Sequence, residues 1–269
     1  MNVPKVLKIK KIINETSTIK TFIFDWDMDV ENIPCPGQFL MVWNFKDEKP
    51  MSISTIDVDN NEIGITVKNV GDFTSDLHQL NVGDELGLRG PYGRGFDTNL
   101  EGMKILAIGG GVGMAPIASF VDEGLSLGLD IDVVCAAVTK EELLFKERLE
   151  NNGAKVFTVT DDGSCGYKGY ATNRTIDLLE DNSYNIAVVC GPEVMMKPIF
   201  DILEDNNVMA QYSLERYMKC ALGICGQCCV DKTGWRICVE GPVFNNEDIK
   251  YIEEFGKYHR NASGIKEFN

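Results

Sequence analysis

The cysteines near the carboxyl end constrain this chain more than any other feature. Cys220, Cys225 and Cys228 are spaced C-x4-C-x2-C, Cys229 follows at once and Cys238 closes the run, so five of the nine cysteines share one short segment. Four thiolates at this spacing suit a two-iron, two-sulfur (2Fe-2S) cluster. Such a segment takes its order from the metal, and the cluster exchanges single electrons. The chain is therefore expected to move electrons.

At 269 residues and 44% hydrophobic content, there is room for two domains and an appendage. A formal net charge of −15 argues against nucleic acid and anionic membrane surfaces as partners. The first residues carry no apolar signal core and no segment has the length of a membrane span, so a cytoplasmic protein is expected. An odd number of cysteines without a secretory signal speaks against a disulfide framework. His78 and His259, the two histidines, lie too far apart in sequence to suggest a His-rich metal site.

Residues 1–98 read as an all-β unit. The runs 18–25, 38–43, 51–55 and 62–70 are short, rich in β-branched and aromatic residues, and separated by Asp, Asn, Gly and Pro, which suggests a barrel. A short helix is expected over 74–80. From about Met103 the pattern changes: strands over 104–108, 131–138, 155–160 and 185–190 alternate with helices over 116–127, 141–151, 171–180 and 194–204. That alternation predicts a doubly wound parallel α/β sheet over 99–207. The remaining segment, 208–269, holds the cysteines and shows no comparable period.

In the α/β half, Gly109-Gly110-Gly111-Val112-Gly113-Met114-Ala115-Pro116 joins the first strand to the first helix. Glycines there let backbone approach a pyrophosphate at a helix N-terminus, though the same glycines also suit a bare tight turn. The acidic residue of a dinucleotide fingerprint is Asp130 or Asp132, with no clear choice between them. Cys190-Gly191-Pro192 lies at the carboxyl end of the last strand, where α/β sheets hold ligands; the alternative is a buried small hydrophobe followed by a helix start. In the barrel half, Lys49-Pro50-Met51-Ser52 and Gly71-Asp72-Phe73-Thr74 offer a cation, hydroxyls and a helix start suited to phosphate, or merely a solvated Lys and a capping Thr. Gly90-Pro91-Tyr92-Gly93-Arg94-Gly95-Phe96 is turn chemistry at the barrel exit.

In this order, these motifs and the cysteine segment resemble the ferredoxin–NADP reductase superfamily over nearly the whole length. Within it the chain is similar to the electron-transfer subunits of class B dihydroorotate dehydrogenase. Two stretches are the most specific: 160–169 (Thr-Asp-Asp-Gly-Ser-Cys-Gly-Tyr-Lys-Gly) and 218–244, from Met218-Lys219-Cys220 to Gly241-Pro242-Val243-Phe244. The resemblance implies FAD on the barrel, contacted by Lys49, Pro50, Met51, Ser52, Thr66, Val67, Lys68, Phe73 and Thr74. It implies NAD at Gly110, Gly111 and Gly113, with Cys190 beside the hydride-transfer site. Lys49 stands where the family usually has Arg, which loses the planar fork that grips phosphate through two bonds. Phe73 stands where glycine is usual.

The cluster ligands implied are Cys220, Cys225, Cys228 and Cys238. Neighbouring side chains of an extended stretch point opposite ways, so Cys229 does not share an iron with Cys228. Four-thiolate zinc is the competing reading, but zinc knuckles use paired C-x2-C units and this chain has one. A flavin alone trades both hydride and single electrons, so it belongs between NAD and cluster. The implied partner is an FMN-containing dihydroorotate dehydrogenase catalytic subunit, two of each forming a heterotetramer, in pyrimidine biosynthesis. Leu222, Gly223, Ile224 and Gly226 would either meet that partner or only wrap the cluster. Two other readings remain. One is the small subunit of an NAD(P)H–ferredoxin oxidoreductase, sulfide dehydrogenase or hydrogenase diaphorase. The other is a redox or iron sensor without flavin.

Overall fold

The computed structural model describes residues 3–28 and 33–269. Among these, β1 (Lys5–Asn14), β2 (Ile19–Asp25), β3 (Phe39–Trp43), β4 (Glu48–Asp57), β5 (Glu62–Lys68) and β6 (Glu85–Tyr92) close a barrel in the order β1-β2-β5-β4-β3-β6. Every pairing in it is antiparallel. Closure leaves no free edge, and Phe22, Phe24, Leu40, Val42, Ile53, Ile63, Ile65 and Leu88 fill the interior. The strands β1 and β6 carry no clear sequence signal. β1 is lysine-rich and mostly outside the core, and β6 is broken by Gly87, Gly90 and Pro91. The expected short helix is α1 (Asp72–His78), between β5 and β6.

The second half contains β7 (Lys104–Gly110), α2 (Met114–Ser126), β8 (Asp130–Ala137), α3 (Lys146–Asn151), β9 (Lys155–Thr160), β10 (Tyr167–Lys168), α4 (Ala171–Asp181), β11 (Ile186–Cys190), α5 (Glu193–Asp205) and β12 (Met209–Ser213). They are followed by β13 (Val243–Asn245), α6 (Asn246–Ile249) and a hairpin of β14 (Tyr258–Arg260) and β15 (Lys266–Phe268). The sheet order is β10-β9-β8-β7-β11-β12-β13, parallel except for β13. Both faces are covered, so β7 is a continuous apolar run. Ile105 and Ala107 pack with Ile117 and Phe120 of α2 on one side. Leu106 and Ile108 pack with Met196, Ile199 and Leu203 of α5 on the other.

Two boundaries differ from expectation. The helix over 141–151 is a single 3-10 turn at Lys140–Glu142 followed by α3. Phe145 takes a left-handed φ of 62°, and Leu144 and Phe145 are buried in the core where a continuous helix would have carried them onward. The α/β sheet also continues past residue 207, because β12 pairs in parallel with β11 and β13 returns from beyond the cysteines to pair with β12. The five residues of β12 include Gln211 and Ser213, too short and polar to announce a strand. The cysteine segment is thus an excursion between two neighbouring strands.

The barrel is joined to the second half by direct bonds. Ser119 Oγ of α2 donates to the Ile53 carbonyl at 3.1 Å, and Arg148 Nη2 to the Ser54 carbonyl at 3.0 Å. At the barrel exit Arg94 N donates to the Gly241 carbonyl at 2.5 Å. Gly93 has φ +78°, and a Cβ there would sit 2.5 Å from Pro242 Cδ. The glycines after β6 thus let the barrel and the segment following Cys238 touch.

Candidate functional site

The topological switch of the sheet lies between β7 and β11, and the crevice beyond their carboxyl ends is where such sheets bind ligands. There the two glycine turns meet, with Cys190 in register with Gly109. This crevice faces the barrel wall made by β4, β5 and the start of α1. Between them runs a cleft formed by a cavity of about 1130 Å³ and a second of about 390 Å³. Pro50, Met51, Val70, Thr74, Arg216 and Met218 line both cavities.

All nine residues expected at FAD line this cleft. Lys49, Pro50, Met51, Phe73 and Thr74 line the larger cavity. Ser52, Thr66, Val67 and Lys68 line the smaller. A space of this size takes a dinucleotide. The side chains differ in what they have free. Lys49 Nζ is bound to Asp47 at 2.8 Å and lies 5.1 Å from the centre of the Tyr217 ring. Burial works against its charge, but Asp47 and Tyr217 together outweigh this and hold its pKa above the ordinary value. The Thr66 hydroxyl belongs to a buried chain with Thr21 (2.7 Å) and Ser54 (2.8 Å). The Thr74 hydroxyl accepts from Val70 N and Gly71 N and donates to the Gly71 carbonyl, so it fastens the start of α1. Lys68 pairs with Glu142 at 3.5 Å.

The glycine run is divided in its tasks. Gly111, at φ +55°, has open space where a Cβ would be. Gly113 and Gly110 instead allow the two turns to approach. A Cβ on Gly113 would lie 2.6 Å from the Cys190 carbonyl oxygen, and one on Gly110 would lie 2.5 Å from Met195 Sδ. Val112 and Ala115 line the smaller cavity. Cys190 is buried at 2% exposure, and burial pushes its thiol well above the usual range. The neighbouring Gly191, Pro192, Glu193 and Val194 line the larger cavity.

Neither Asp130 nor Asp132 sits where a ribose would need it. Both lie at the amino end of β8, away from the crevice. Asp132 is buried, accepting from Tyr184 Oη at 2.6 Å with Lys104 Nζ 3.6 Å away. The acids near the carboxyl end are Asp161 and Asp162, directly after β9. Burial, then the charges of Asp162 and Glu142, raise the Asp161 pKa.

The cysteine loop folds into left-handed turns at Ala221, Gly223 and Gly226. Its thiols pair two and two. Cys220 Sγ accepts from the backbone N–H groups of Leu222 (3.4 Å) and Cys225 (3.5 Å) and interacts with the Cys225 side chain. Burial resists its ionisation, but these N–H donors bring the Cys220 pKa down to about 6. Cys238 is buried against Cys228, and burial followed by that contact pushes its pKa up to about 12. Among the described residues no three metal-binding side chains close on a single point. Two pairs are what a two-iron cage requires, each iron taking two protein ligands. Cys229, half-buried, pairs through its backbone with Arg236 across a small turn, and its thiol lies close enough to Cys228 and Cys225 that burial and then these neighbours raise its pKa. Of the apolar residues around the loop, Ile224 is 80% exposed and Leu222 36%.

Three charged residues escaped sequence reasoning. Arg216 lies under the cleft, its Nη1 bonded to Glu193 and to the Glu215 carbonyl and its Nε 3.0 Å from Glu254, while its buried Nη2 has no partner among the described residues. Glu215 is open to the cleft but ringed by protein, and the lost hydration, with Glu193 nearby, raises its pKa. Arg89 is buried in the barrel wall beneath the cysteine loop. Only its Arg-Gly-Pro setting in a strand could have drawn notice.

Comparison with known proteins agrees with this arrangement. A family described as the iron–sulfur cluster binding domain of dihydroorotate dehydrogenase B matches residues 215–250. One described as the oxidoreductase NAD-binding domain matches 107–200. A probable dihydroorotate dehydrogenase B (NAD(+)), electron transfer subunit, from Methanothermobacter thermautotrophicus is 54% identical, the alignment covering 98% of this chain and 97% of the relative. Its namesake from Methanocaldococcus jannaschii is 45% identical over 99% of both. Among solved structures, one described as the NADH-dependent reduced ferredoxin-NADP oxidoreductase superposes with a TM-score of 0.82 at 25% identity over 95% of each chain. The cytochrome b5 reductase domain of Ulva prolifera nitrate reductase shares the fold, with a TM-score of 0.63 at 22% identity over 76% of this chain and 93% of that one. The chain belongs to the family of electron-transfer subunits of dihydroorotate dehydrogenase B.

Proposed function

We propose that the chain carries electrons between an FMN-containing dihydroorotate dehydrogenase catalytic subunit and NAD, using one 2Fe-2S cluster and FAD, in pyrimidine biosynthesis. The observation that carries this reading is one cleft lined by the nine flavin-motif residues and by the turn beyond β11. FAD supplies the exchange between hydride and single electrons, and the cluster the single-electron path toward the partner.

The tasks of the chain's own residues follow from their positions. Lys49 offers a cation to a flavin phosphate, held upright by Asp47. Pro50, Met51 and Ser52 wall the cleft on the barrel side. Gly111 and the start of α2 admit a dinucleotide's phosphates, and Gly191 with Pro192 borders the nicotinamide. Cys190, buried behind that turn, shapes it without being exposed to the cleft. Cys220, Cys225, Cys228 and Cys238 hold the cluster, and exposed Ile224 and Leu222 meet the catalytic subunit. The functional division runs 1–98 for flavin, 99–207 for NAD and 208–269 for the cluster, the last segment lending β12 and β13 to the sheet. Reduced thiols suit a cytoplasmic setting; among the described residues no helix is long and apolar enough to cross a membrane.

The full-length structural match to a ferredoxin-NADP oxidoreductase favours a second reading, the small subunit of an NAD(P)H–ferredoxin oxidoreductase. Reconstitution decides. Mixed with an FMN-bearing dihydroorotate dehydrogenase subunit from the same source, the chain should confer dihydroorotate-dependent NAD reduction. Failure there, with NAD(P)H-dependent ferredoxin reduction instead, would establish the second reading.

A further inference from the structure

We infer that Arg89 is a positioning residue that fixes the cluster loop to the flavin-binding strand. The inference rests on the proposed cofactors. Arg89 is on β6, 8% exposed, and its guanidinium spends nearly all its donors on three partners. Nε and Nη2 grip the two carboxylate oxygens of Glu48 at 3.0 and 2.6 Å. Nη1 donates to Tyr92 Oη at 3.1 Å and to the carbonyl of Cys220 at 3.0 Å. Glu48 directly precedes Lys49 on β4, so one rigid fork spans the flavin motif and the first cluster ligand.

A planar, two-pronged ion pair in a buried site holds its geometry where a lysine's point charge would not. The residue bonded to Cys220 is itself clamped by the barrel, while the loop it holds runs through left-handed turns at Ala221 and Gly223 without a helix or strand of its own. The contact crosses 131 residues of sequence. Electron transfer between carriers falls steeply with separation, so a loop freed from this anchor transfers more slowly, whereas hydride exchange at the flavin does not depend on it.

Arg89→Met, Arg89→Lys and the double variant Glu48→Met/Arg89→Met test this in the holoenzyme, the double variant removing the uncompensated carboxylate that could prevent folding. Iron, sulfide and FAD contents are measured first, then stopped-flow absorbance separates flavin reduction by NADH from the following reduction of the cluster. The paramagnetic signal of the reduced cluster reports its surroundings. With cofactors retained, the flavin-to-cluster step should slow about tenfold relative to the NADH-to-flavin step in Arg89→Met and in the double variant, the loss of a charged hydrogen bond, with a broadened cluster signal. Arg89→Lys should recover part of the ratio. An unchanged ratio and signal in the double variant would overturn the inference, as would equal slowing of both steps. Wild-type protein without cluster or flavin would instead overturn the cofactor reading.

Discussion

Arg260 closes on Asp231 with two prongs, its Nη2 donating to Oδ2 at 2.9 Å and its Nε to Oδ1 at 3.2 Å. Tyr258 Oη adds a bond to Oδ2 at 2.7 Å, and Lys266 Nζ lies 3.4 Å away. Asp231 belongs to the cysteine segment, whereas the other three belong to the terminal hairpin of β14 and β15. His259, Arg260, Asn261 and Glu267 of that hairpin line the large cavity. The cluster segment thus holds the outer wall of the cleft.

This clamp sets a pH dependence. Arg260, then Tyr258, lower the Asp231 pKa to about 2. Because the folded-state pKa lies below the usual carboxylate value of about 3.9, the contribution is complete above that value and is lost as pH falls toward 2. Protection factors for hydrogen exchange in residues 258–268, each taken against the intrinsic rate at the same pH, should be high at pH 5 and fall selectively between about pH 4 and 2. Asp231→Asn should show fast exchange there already at pH 7. Unchanged protection in that variant would contradict the clamp.

Cluster ligation separates Cys228 from its neighbour. Cys220→Ser, Cys225→Ser, Cys228→Ser and Cys238→Ser should each lose the cluster signal while NADH still reduces the flavin. Cys229→Ser should keep about full iron and sulfide, since the C-x4-C-x2-C spacing assigns Cys228 and the side chain of its neighbour points the other way. Loss of the cluster in Cys229→Ser with retention in Cys228→Ser would reverse the assignment.

Lys49 should matter to flavin rather than to the barrel. Lys49→Ala should weaken FAD binding by about tenfold, the worth of a charged hydrogen bond, with little change in thermal unfolding of the flavin-free protein. Lys49→Arg should bind at least as tightly, having a second prong for phosphate. Equilibrium dialysis measures both.

Gly113 is where the two nucleotide turns touch. Gly113→Ala forces a Cβ to within 2.6 to 2.7 Å of Cys190 and Gly191 backbone, at a cost of about 1–3 kcal/mol of stability. The Michaelis constant for NADH should rise together with the loss of thermal stability. A variant as stable as wild type would show that the turns can part freely.

The residues legible in the sequence were those whose signal is local. The cysteine spacing, the glycine run and the alternating apolar runs of β2 and β5 each announce themselves within a dozen residues. The strand β1 did not, because its lysines face solvent, and β12 did not, because five residues hold no period. Asp130 and Asp132 could not be told apart as candidates because a fixed offset from the glycines ignores which end of β8 faces the crevice. Arg89 with Cys220, and Asp231 with Arg260, were invisible because only the folded chain brings such distant residues together.

Cofactor analysis of anaerobically purified protein tests the central claim most directly. Per chain, about one FAD, two iron and two acid-labile sulfide are expected, with a paramagnetic signal on reduction. Protein carrying zinc, or iron without sulfide, would contradict it.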